Sequence, residues 1–215
     1  MPIDYSLYLI ADAEFASGRD LLSLIEAAVR GGVTVVQLRA KGFPYGDFLE
    51  LGRRTADALR KRHIPLIIND QVDVALSCGA AGVHLGQDDM LPAIVRKVLS
   101  KGAVIGVSVN TPEEALEAER QGADYVGAGP VFRTATKVTD LPVLGSEGIR
   151  RIKAGLHIPV VAVGGITVEN VRAVREAGAD GIAVVSAILG GPDPQKAARE
   201  LRKTIGDLSP SWREL

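Results

Sequence analysis

Two cationic side chains and an amide occur at every second position of the segment Gln37-Leu38-Arg39-Ala40-Lys41. The segment continues an apolar, β-branched run, and alternate side chains of a strand point to the same face. A guanidinium and an ammonium on one face can bind an anion such as phosphate. The alternative is a solvated charge pair on a loop, but the regular spacing on an otherwise apolar strand favours an anion site.

Acidic and amide side chains end two other apolar runs. Asn69 and Asp70 close the run LIIND, and Asp88 and Asp89 follow the run GVHLGQ. Oxygen ligands at neighbouring strand ends suit Mg²⁺, which takes one or two protein carboxylates and completes its shell with water and substrate phosphate. We therefore predict that Asp70 and Asp89 bind Mg²⁺. The alternative is that Asp70 caps the helix after it and that Asp89 or Asp88 caps the helix beginning near Leu91, because Asp is a preferred N-cap residue.

Ser108 and His84 are the residues on which a hydrolase would have to depend. Ser108 ends a strand in the motif GVS, where its hydroxyl can donate to a phosphate oxygen or satisfy a local backbone group. His84 lies within a strand, and a lone histidine there is more often a hydrogen-bonded packing residue than a metal ligand. The chain has three histidines and no recognisable triad, so a nucleophilic hydrolase is not expected.

The longest loop after a strand begins with GPVFRTATK, residues 129–137. Thr134, Thr136 and Lys137 offer two hydroxyls and an ammonium group. Loops of this kind often serve as mobile covers over a bound anion. We expect that role here, the alternative being a purely structural loop.

Glycine-rich turns follow the last two apolar runs. The turn Gly164-Gly165-Ile166-Thr167 opens a helix, and Ser186 begins the segment SAILGG. Backbone amides in glycine loops and at helix starts attract phosphate. We predict a phosphate site at these two turns.

All these residues follow short β-branched runs that alternate with segments of helical periodicity, the pattern of parallel strands joined by helices. The predicted strands are Leu7–Ala11, Val33–Leu38, Leu66–Asn69, Gly82–Leu85, Val104–Ser108, Tyr125–Ala128, Val160–Val163 and Gly181–Val185. The predicted helices lie near residues 20–30, 45–62, 72–78, 91–100, 112–121, 146–154, 168–177 and 193–205. Eight such units predict an α/β fold, a single-domain (β/α)₈ TIM barrel whose strand ends meet at one face. An open, doubly wound sheet is the alternative.

Several helix boundaries carry explicit signals. Thr111, followed by a proline and two acidic residues, is typical of an N-cap, and Thr167 precedes a similar opening. Four glycines are expected to end helices in the left-handed conformation, namely Gly31, Gly79, Gly122 and Gly178. They also mark a weak repeat with a period of two strand–helix units.

The bulk composition excludes several classes of protein. A chain of 215 residues, 47% hydrophobic and with a net charge of −1, suits one domain over residues 1–215, and its tail at 208–215 can fray. The balanced charge gives no electrostatic reason for a nucleic-acid or membrane partner. Cys78 is a single cysteine, the start lacks the features of a signal peptide, and no apolar run approaches the roughly 20 residues of a membrane span. We expect a cytoplasmic protein acting on small molecules, and the sequence leaves a homo-oligomer open.

Seven motifs occur in order at successive strand ends: QLRAK, IIND, GVHLGQDD, GVS, GPVFRTATK, VGGI and VVSAI. With them the chain resembles the thiamine phosphate synthase family over nearly its whole length. The resemblance implies a Mg²⁺-dependent transferase that joins 4-amino-2-methyl-5-hydroxymethylpyrimidine diphosphate to 4-methyl-5-(2-hydroxyethyl)thiazole phosphate, giving thiamine phosphate and pyrophosphate. It also implies a dissociative path, in which the thiazole nitrogen captures a pyrimidine-stabilised cation.

The resemblance also implies roles for individual residues. The pyrimidine diphosphate would be held by Gln37, Arg39, Lys41, Asn69, Ser108 and Lys137. The thiazole phosphate would be held by Thr134, Thr136, Gly165, Val185 and Ser186, and the Mg²⁺ by Asp70 and Asp89. One departure is Arg133, where the family often has proline; this extra cation either tightens phosphate binding or faces solvent.

The sequence leaves three alternatives to a synthase. A thiazole tautomerase of the same superfamily would need neither the acidic pair nor the basic residues. A regulatory barrel that binds thiamine intermediates without turnover would not need the complete catalytic set. Another phosphosugar isomerase would need a general acid and base among residues that the resemblance gives to the diphosphate.

Overall fold

Eight parallel strands form a closed barrel in the computed structural model, which describes residues 3–16, 18–136 and 140–206. The strands are β1 (Leu7–Asp12), β2 (Val35–Arg39), β3 (Leu66–Asn69), β4 (Gly82–Leu85), β5 (Val104–Val109), β6 (Tyr125–Ala128), β7 (Val160–Val163) and β8 (Gly181–Val184). Each pairs with the next, and β8 pairs with β1 in the register Leu7↔Ile182. The predicted TIM barrel is confirmed, and the open doubly wound sheet is wrong because the sheet has no free edge.

The helices surround the barrel in the predicted alternation. They are α1 (Leu21–Arg30), α2 (Tyr45–Arg60), α3 (Val72–Cys78), α4 (Pro92–Val98), α5 (Pro112–Arg120), α6 (Gly145–Ala154), α7 (Val171–Glu176), α8 (Ser186–Leu189) and α9 (Pro194–Ile205). The four-residue α8 was not predicted, because a single turn is too short to show helical periodicity. Within the described part of the chain, no helix has the length and apolar character needed to cross a membrane. The tail predicted to fray, residues 208–215, lies outside the described residues.

The predicted helix starts are confirmed in one case and wrong in the other. Thr111 caps α5, and its hydroxyl accepts a hydrogen bond from the Glu114 N–H at 3.1 Å. Thr167 does not begin a helix, because α7 starts at Val171 after the N-cap residue Asn170. The Asn170 Oδ1 instead accepts from the Thr167 N–H at 2.8 Å, which makes a turn of the segment predicted as the first helical turn.

The left-handed conformation is confirmed at three of the four predicted glycines, with φ of 67° at Gly79, 87° at Gly122 and 94° at Gly178. It is wrong for Gly31, which has a φ of −80°, and the next residue, Gly32, has the positive φ of 110°. Gly31 is needed for a different reason: a Cβ there would lie 2.4 Å from the Gln195 carbonyl oxygen of α9.

Strand alternation divides the buried residues into two layers. Leu7, Leu9 and Ala11 of β1 face the helices and belong to the large core between sheet and helices. Tyr8 lies on the opposite face, inside the barrel, in a smaller core that also contains Tyr125. A residue just beyond a strand end that continues the alternation of the inward-facing side chains therefore points into the mouth of the barrel.

Glycines on the inward face make room for Tyr125 and His84. A Cβ at Gly106 would lie 2.1 Å from the Tyr125 ring, and one at Gly127 would lie 2.9 Å from the His84 ring. These approaches are closer than side chains tolerate, so the barrel closes around Tyr125 and His84 only because β5 and β6 carry glycine there.

Candidate active site

One cavity of about 610 Å³ opens at the carboxyl ends of the strands. Nearly all of the predicted site residues line it: Gln37, Arg39, Lys41, Asn69, Asp70, Asp89, Ser108, Thr134, Thr136, Gly165, Val185 and Ser186. Lys137 lies outside the described residues. Residues from seven of the eight strand ends thus meet in one place, as the barrel geometry requires.

The two predicted cations both have carboxylate neighbours. The Arg39 guanidinium forms an ion pair with Asp12, which is 4% exposed, and lies 3.9 Å from a Glu14 oxygen. The other Asp12 oxygen accepts hydrogen bonds from the N–H groups of Glu14 and Phe15. Because Asp12 is itself held by the backbone after β1, it fixes the position of Arg39.

Lys41 lies beside the predicted metal ligands. Its Nζ is 3.4 Å from the Asp70 Oδ2, and the lysine side chain is about half exposed. Burial and the nearby Asp89 raise the pKa of the Asp70 carboxyl, and Lys41 acts in the opposite direction. The arrangement is a carboxylate pair that a cation stabilises.

Neither carboxylate caps a helix, so the capping alternative is wrong. The N-cap of α3 is Gln71 and that of α4 is Leu91, and neither end has a side-chain cap. Asp89 Oδ2 accepts from the Gly86 N–H at 2.6 Å, which closes the turn after β4. Asp70 has a φ of 61°, a left-handed conformation that places its carboxylate at the cavity and that non-glycine residues rarely adopt outside special sites.

The donor set fits Mg²⁺. Among the described residues no group of three or more His, Cys, Asp or Glu side chains could hold a metal, as a fully protein-enclosed ion such as structural zinc would require. Mg²⁺ needs only one or two protein carboxylates and takes its remaining ligands from water and phosphate. Asp70 and Asp89, in a cavity with room for a phosphorylated substrate, are such a pair.

A hydrogen-bonded chain of side chains crosses the floor of the cavity. Gln37 Nε2 donates to the Tyr8 hydroxyl at 2.9 Å, and that hydroxyl lies 2.9 Å from the Tyr125 hydroxyl. Tyr125 contacts His84 Nδ1 at 2.9 Å, and His84 Nε2 lies 3.0 Å from the Ser108 Oγ. Burial raises the pKa of both tyrosines, so their hydroxyls stay protonated at physiological pH.

His84 is therefore a hydrogen-bonded packing residue, as predicted. Its Nδ1 contacts Tyr125, whereas a catalytic triad would place a carboxylate there. The Ser108 Oγ lies beside this histidine, but the group behind the ring is the Tyr125 hydroxyl and not the carboxylate of a Ser-His-Asp triad.

The opposite wall of the cavity consists of backbone. Gly164 and Gly165 have φ of 100° and 65°, and a Cβ on Gly165 would lie 2.5 Å from the Arg133 carbonyl oxygen. Asn170 Nδ2 donates to the Gly165 carbonyl at 2.9 Å and holds this turn in place. Helix α8 starts at Ser186, and the first amides of a helix have no partner within it. The phosphate site predicted from the sequence falls on this wall and stays a prediction.

The loop after β6, residues 129–144, is called the β6 loop below. Its hydroxyl residues are linked, since Thr134 Oγ1 accepts from the Thr136 N–H at 3.2 Å. The Phe132 N–H donates to the Gly164 carbonyl at 3.0 Å, so the loop packs against the turn after β7. Residues 137–139 lie outside the described residues.

Sequence reasoning missed Asp12, Tyr8, Tyr125 and Asn110, all of which the structure places in or beside the site. Asp12 ends β1 and Asn110 directly follows β5, so the search for polar residues at strand ends could have found both. Tyr8 and Tyr125 gave no such signal, because a tyrosine inside a strand is indistinguishable from an ordinary core residue.

Comparison with known proteins gives consistent results. A sequence model of a family described as "Thiamine monophosphate synthase" matches residues 7–188. The thiamine-phosphate synthase of Syntrophomonas wolfei is 46% identical over 200 residues, which cover 93% of this chain and 96% of the relative. That of Desulfitobacterium hafniense is 46% identical over 201 residues, covering 94% and 97%. The solved structure of a thiamine phosphate pyrophosphorylase from Pyrococcus furiosus superposes with a TM-score of 0.88 at 40% identity, over 96% of this chain and 98% of that one.

Proposed function

Since the chain belongs to the thiamine monophosphate synthase family, we propose that its cavity joins the pyrimidine diphosphate to the thiazole phosphate and releases pyrophosphate. The protein is an enzyme, a transferase of thiamine biosynthesis. The observation that carries the substrate assignment is that one cavity brings together cations, a carboxylate pair and an amide-rich wall. The cations and carboxylates suit a diphosphate with its metal, and the amides suit a monophosphate.

The pyrimidine diphosphate lies on the side of β2, β3 and β5. It is held by Gln37, Arg39, Lys41, Asn69, Ser108 and, on the β6 loop, Lys137. Arg39, positioned by Asp12, offers directed N–H donors to a phosphate oxygen, whereas Lys41 acts as a mobile point charge. Lys137 is assigned from the family resemblance alone.

Asp70 and Asp89 would hold Mg²⁺ beside the diphosphate. When bound, Mg²⁺ supplies positive charge that stabilises the departing pyrophosphate. Lys41 lies 3.4 Å from Asp70, so its ammonium would also lie within reach of a diphosphate bound beside that carboxylate.

The thiazole phosphate lies against the opposite wall. Its phosphate accepts from the backbone amides near Gly165, Val185 and Ser186 and from the hydroxyls of Thr134 and Thr136. Because the diphosphate and the monophosphate bind at opposite walls, their ring systems face each other across the cavity.

The reaction needs no nucleophile from the protein. The bond between the pyrimidine methylene carbon and the diphosphate oxygen breaks, and pyrophosphate leaves with the bonding electrons. The methylene cation, stabilised by the pyrimidine ring, is then captured by the lone pair of the thiazole nitrogen, which forms the new C–N bond. Arg39, Lys41 and Lys137 stabilise the charge that develops on the leaving group.

The same site disfavours the alternatives. A tautomerase acting on the thiazole alone would not need the pair Asp70 and Asp89. Burial and the neighbouring Asp89 raise the pKa of Asp70, so the pair is unfavourable without a cation. A regulatory barrel that binds without turnover has no use for cations placed around a leaving group. A phosphosugar isomerase would have to recruit its acid and base from residues already engaged in ion pairs.

The rest of the assignment follows from the composition. We propose that residues 1–215 form one domain acting in the cytoplasm on small molecules. A net charge of −1 supports neither a nucleic-acid nor a membrane partner, and a homo-oligomer remains compatible with these features.

Omission of single components tests the proposed function. Pyrophosphate release is measured with both substrates and Mg²⁺, and again with each of the three left out. Release that requires all three supports the synthase. Isomerisation of the thiazole substrate without pyrophosphate release would replace it by the tautomerase, and binding of both substrates without turnover would replace it by the regulatory barrel.

A further inference from the structure

Asn110 is a buried polar residue beside the cavity to which the family resemblance gives no role. It directly follows β5 and is 7% exposed. Its side-chain Nδ2 donates to the Gly129 carbonyl at 3.0 Å and to the Pro142 carbonyl at 3.1 Å. A primary amide has two N–H groups, so both donors of Asn110 are engaged by these carbonyls.

The two acceptors lie at opposite ends of the β6 loop. Backbone hydrogen bonds join the same ends, from the Leu144 N–H to the Pro130 carbonyl at 2.8 Å and from the Gly145 N–H to the Val131 carbonyl at 3.0 Å. The Asn110 side chain adds one hydrogen bond to each end of the loop, at Gly129 and at Pro142. The loop is thus held at its base, while the segment with the two threonines projects into the cavity.

The clamp itself is anchored outside the loop. The Asn110 N–H donates to the Glu114 Oε2 at 2.6 Å, and Glu114 lies in the first turn of α5, which Thr111 caps. Asn110 is therefore positioned by β5 and α5, and it transmits that position to the loop.

We propose that Asn110 is a positioning residue that clamps both ends of the β6 loop and so places Thr134 and Thr136 for the thiazole phosphate. The proposal rests on the proposed function for the identity of that ligand. A loop that is ordered before the substrate arrives does not have to be ordered by binding, which otherwise weakens affinity. Of the residues assigned to the pyrimidine diphosphate, Lys137 lies on the β6 loop, whereas Gln37 and Asn69 lie on β2 and β3 and do not depend on the clamp. The pyrimidine diphosphate should therefore be affected less than the thiazole phosphate.

Two substitutions remove the clamp in different ways. Asn110→Ala deletes both donors, and Asn110→Asp keeps the shape but places carboxylate oxygens against two carbonyls. We expect the KM for thiazole phosphate to rise about tenfold or more in both, as for the loss of one or two hydrogen bonds. The KM for the pyrimidine diphosphate should rise by a clearly smaller factor.

Asp20→Ala is the matched control, because it removes the side-chain cap of α1 and changes neither Asn110 nor its hydrogen-bond partners. We expect it to lower the Tm while both KM values stay within about twofold of the parent. The proposal is overturned if the Asn110 variants keep the parent's KM for thiazole phosphate, or if they raise both KM values by the same factor.

A second readout does not depend on turnover. Trypsin can cut after Arg133 in the β6 loop, and the proposal expects faster cleavage there in Asn110→Ala than in Asp20→Ala. Equal cleavage rates would overturn the clamp. Absence of pyrophosphate release by the parent would overturn the proposed function, and the cleavage rates would still decide whether Asn110 holds the loop.

Discussion

Asp70 and Asp89 are the residues on which the metal assignment depends. Asp70 adopts a left-handed backbone conformation, and Asp89 closes the turn after β4 by accepting from the Gly86 N–H. Neither residue caps a helix. Each carboxylate is thus positioned by its own strand end. Burial and the proximity of Asp89 raise the pKa of Asp70, which means that they destabilise its ionised form. A cation bound between the two carboxylates would remove this destabilisation.

Replacing these carboxylates should separate activity from stability. Asp70→Asn and Asp89→Asn should each lower kcat/KM by about hundredfold or more, because each removes a charged ligand of Mg²⁺. Asp70→Asn should not lower the Tm of the metal-free protein at neutral pH. The folded-state pKa of Asp70 is raised, so its ionised form costs stability at pH values above that pKa, and a neutral isostere removes the cost. Asn also tolerates the positive φ at this position.

Asp88→Asn is the matched comparison for that experiment, because Asp88 lines the same cavity beside Asp89. Steady-state kinetics and thermal melts of the three variants decide the assignment. Parent-like rates in both Asp70→Asn and Asp89→Asn would exclude them as metal ligands. A severe loss in Asp88→Asn alone would move the second ligand to that residue.

Asp12 is predicted to act through Arg39. Asp12→Asn keeps an oxygen for the N–H groups of Glu14 and Phe15 but removes the ion pair with the guanidinium. We expect the KM for the pyrimidine diphosphate to rise about tenfold, equivalent to one charge-assisted hydrogen bond. The KM for thiazole phosphate, whose site lies on the opposite wall, should stay unchanged. A fall in the first KM would instead show that Asp12 only neutralises the charge of Arg39.

At the scale of elements, the strands were predictable because their apolar runs are short and bounded, and seven of the eight were predicted within one residue at both ends. Val33 was wrongly assigned to β2, which begins at Val35. The start of α7 was also wrong, because the side chain of Asn170 makes a local turn that competes with a helix. Whether the Asn170 side chain forms this turn depends on side-chain geometry, and hydrophobic periodicity does not predict that geometry.

Strand β5 gives a test of how the elements close around the site. Gly106→Ala should lower the free energy of unfolding by about 1–3 kcal/mol, because the added methyl would overlap the buried Tyr125 ring. Gly46→Ala in α2 is the control, since a Cβ there meets nothing within 4 Å. It should raise stability by about 0.5–1 kcal/mol through helix propensity. Urea denaturation measures both, and equal effects of the two substitutions would contradict the packing described for the barrel interior.

At the scale of the whole molecule, the weak repeat of two strand–helix units has a structural basis. Asp124 precedes β6 and accepts from the Ile105 N–H of β5 at 2.7 Å. Asp180 precedes β8 and accepts from the Val160 N–H of β7 at 2.8 Å. Each aspartate also pairs with a cation, Arg96 and Lys153 respectively. These contacts lie at the amino ends of the strands, where polar residues of a barrel serve stability and not catalysis.

Closure of the barrel explains why so much of the site was predictable. Once eight parallel strands are inferred, every strand end is brought to one face, so Arg39, Asp70 and Ser108 must lie near one another. The partners of these groups were not predictable. The ion pair with Asp12 depends on the register between β1 and β2, and the chain from Gln37 to Ser108 depends on the contact between Tyr8 and Tyr125 across the barrel. Spacing along one strand carries no such information.

The central claim is that one cavity couples departure of pyrophosphate to formation of the new C–N bond. The most direct measurement is the amount of thiamine phosphate, by mass spectrometry, against the pyrophosphate released in one turnover with Mg²⁺ and both substrates. The account predicts equal amounts of the two products, and no pyrophosphate when the thiamine phosphate yield is abolished by Asp70→Asn. Pyrophosphate released without thiamine phosphate would show that water captures the pyrimidine, and would contradict the account.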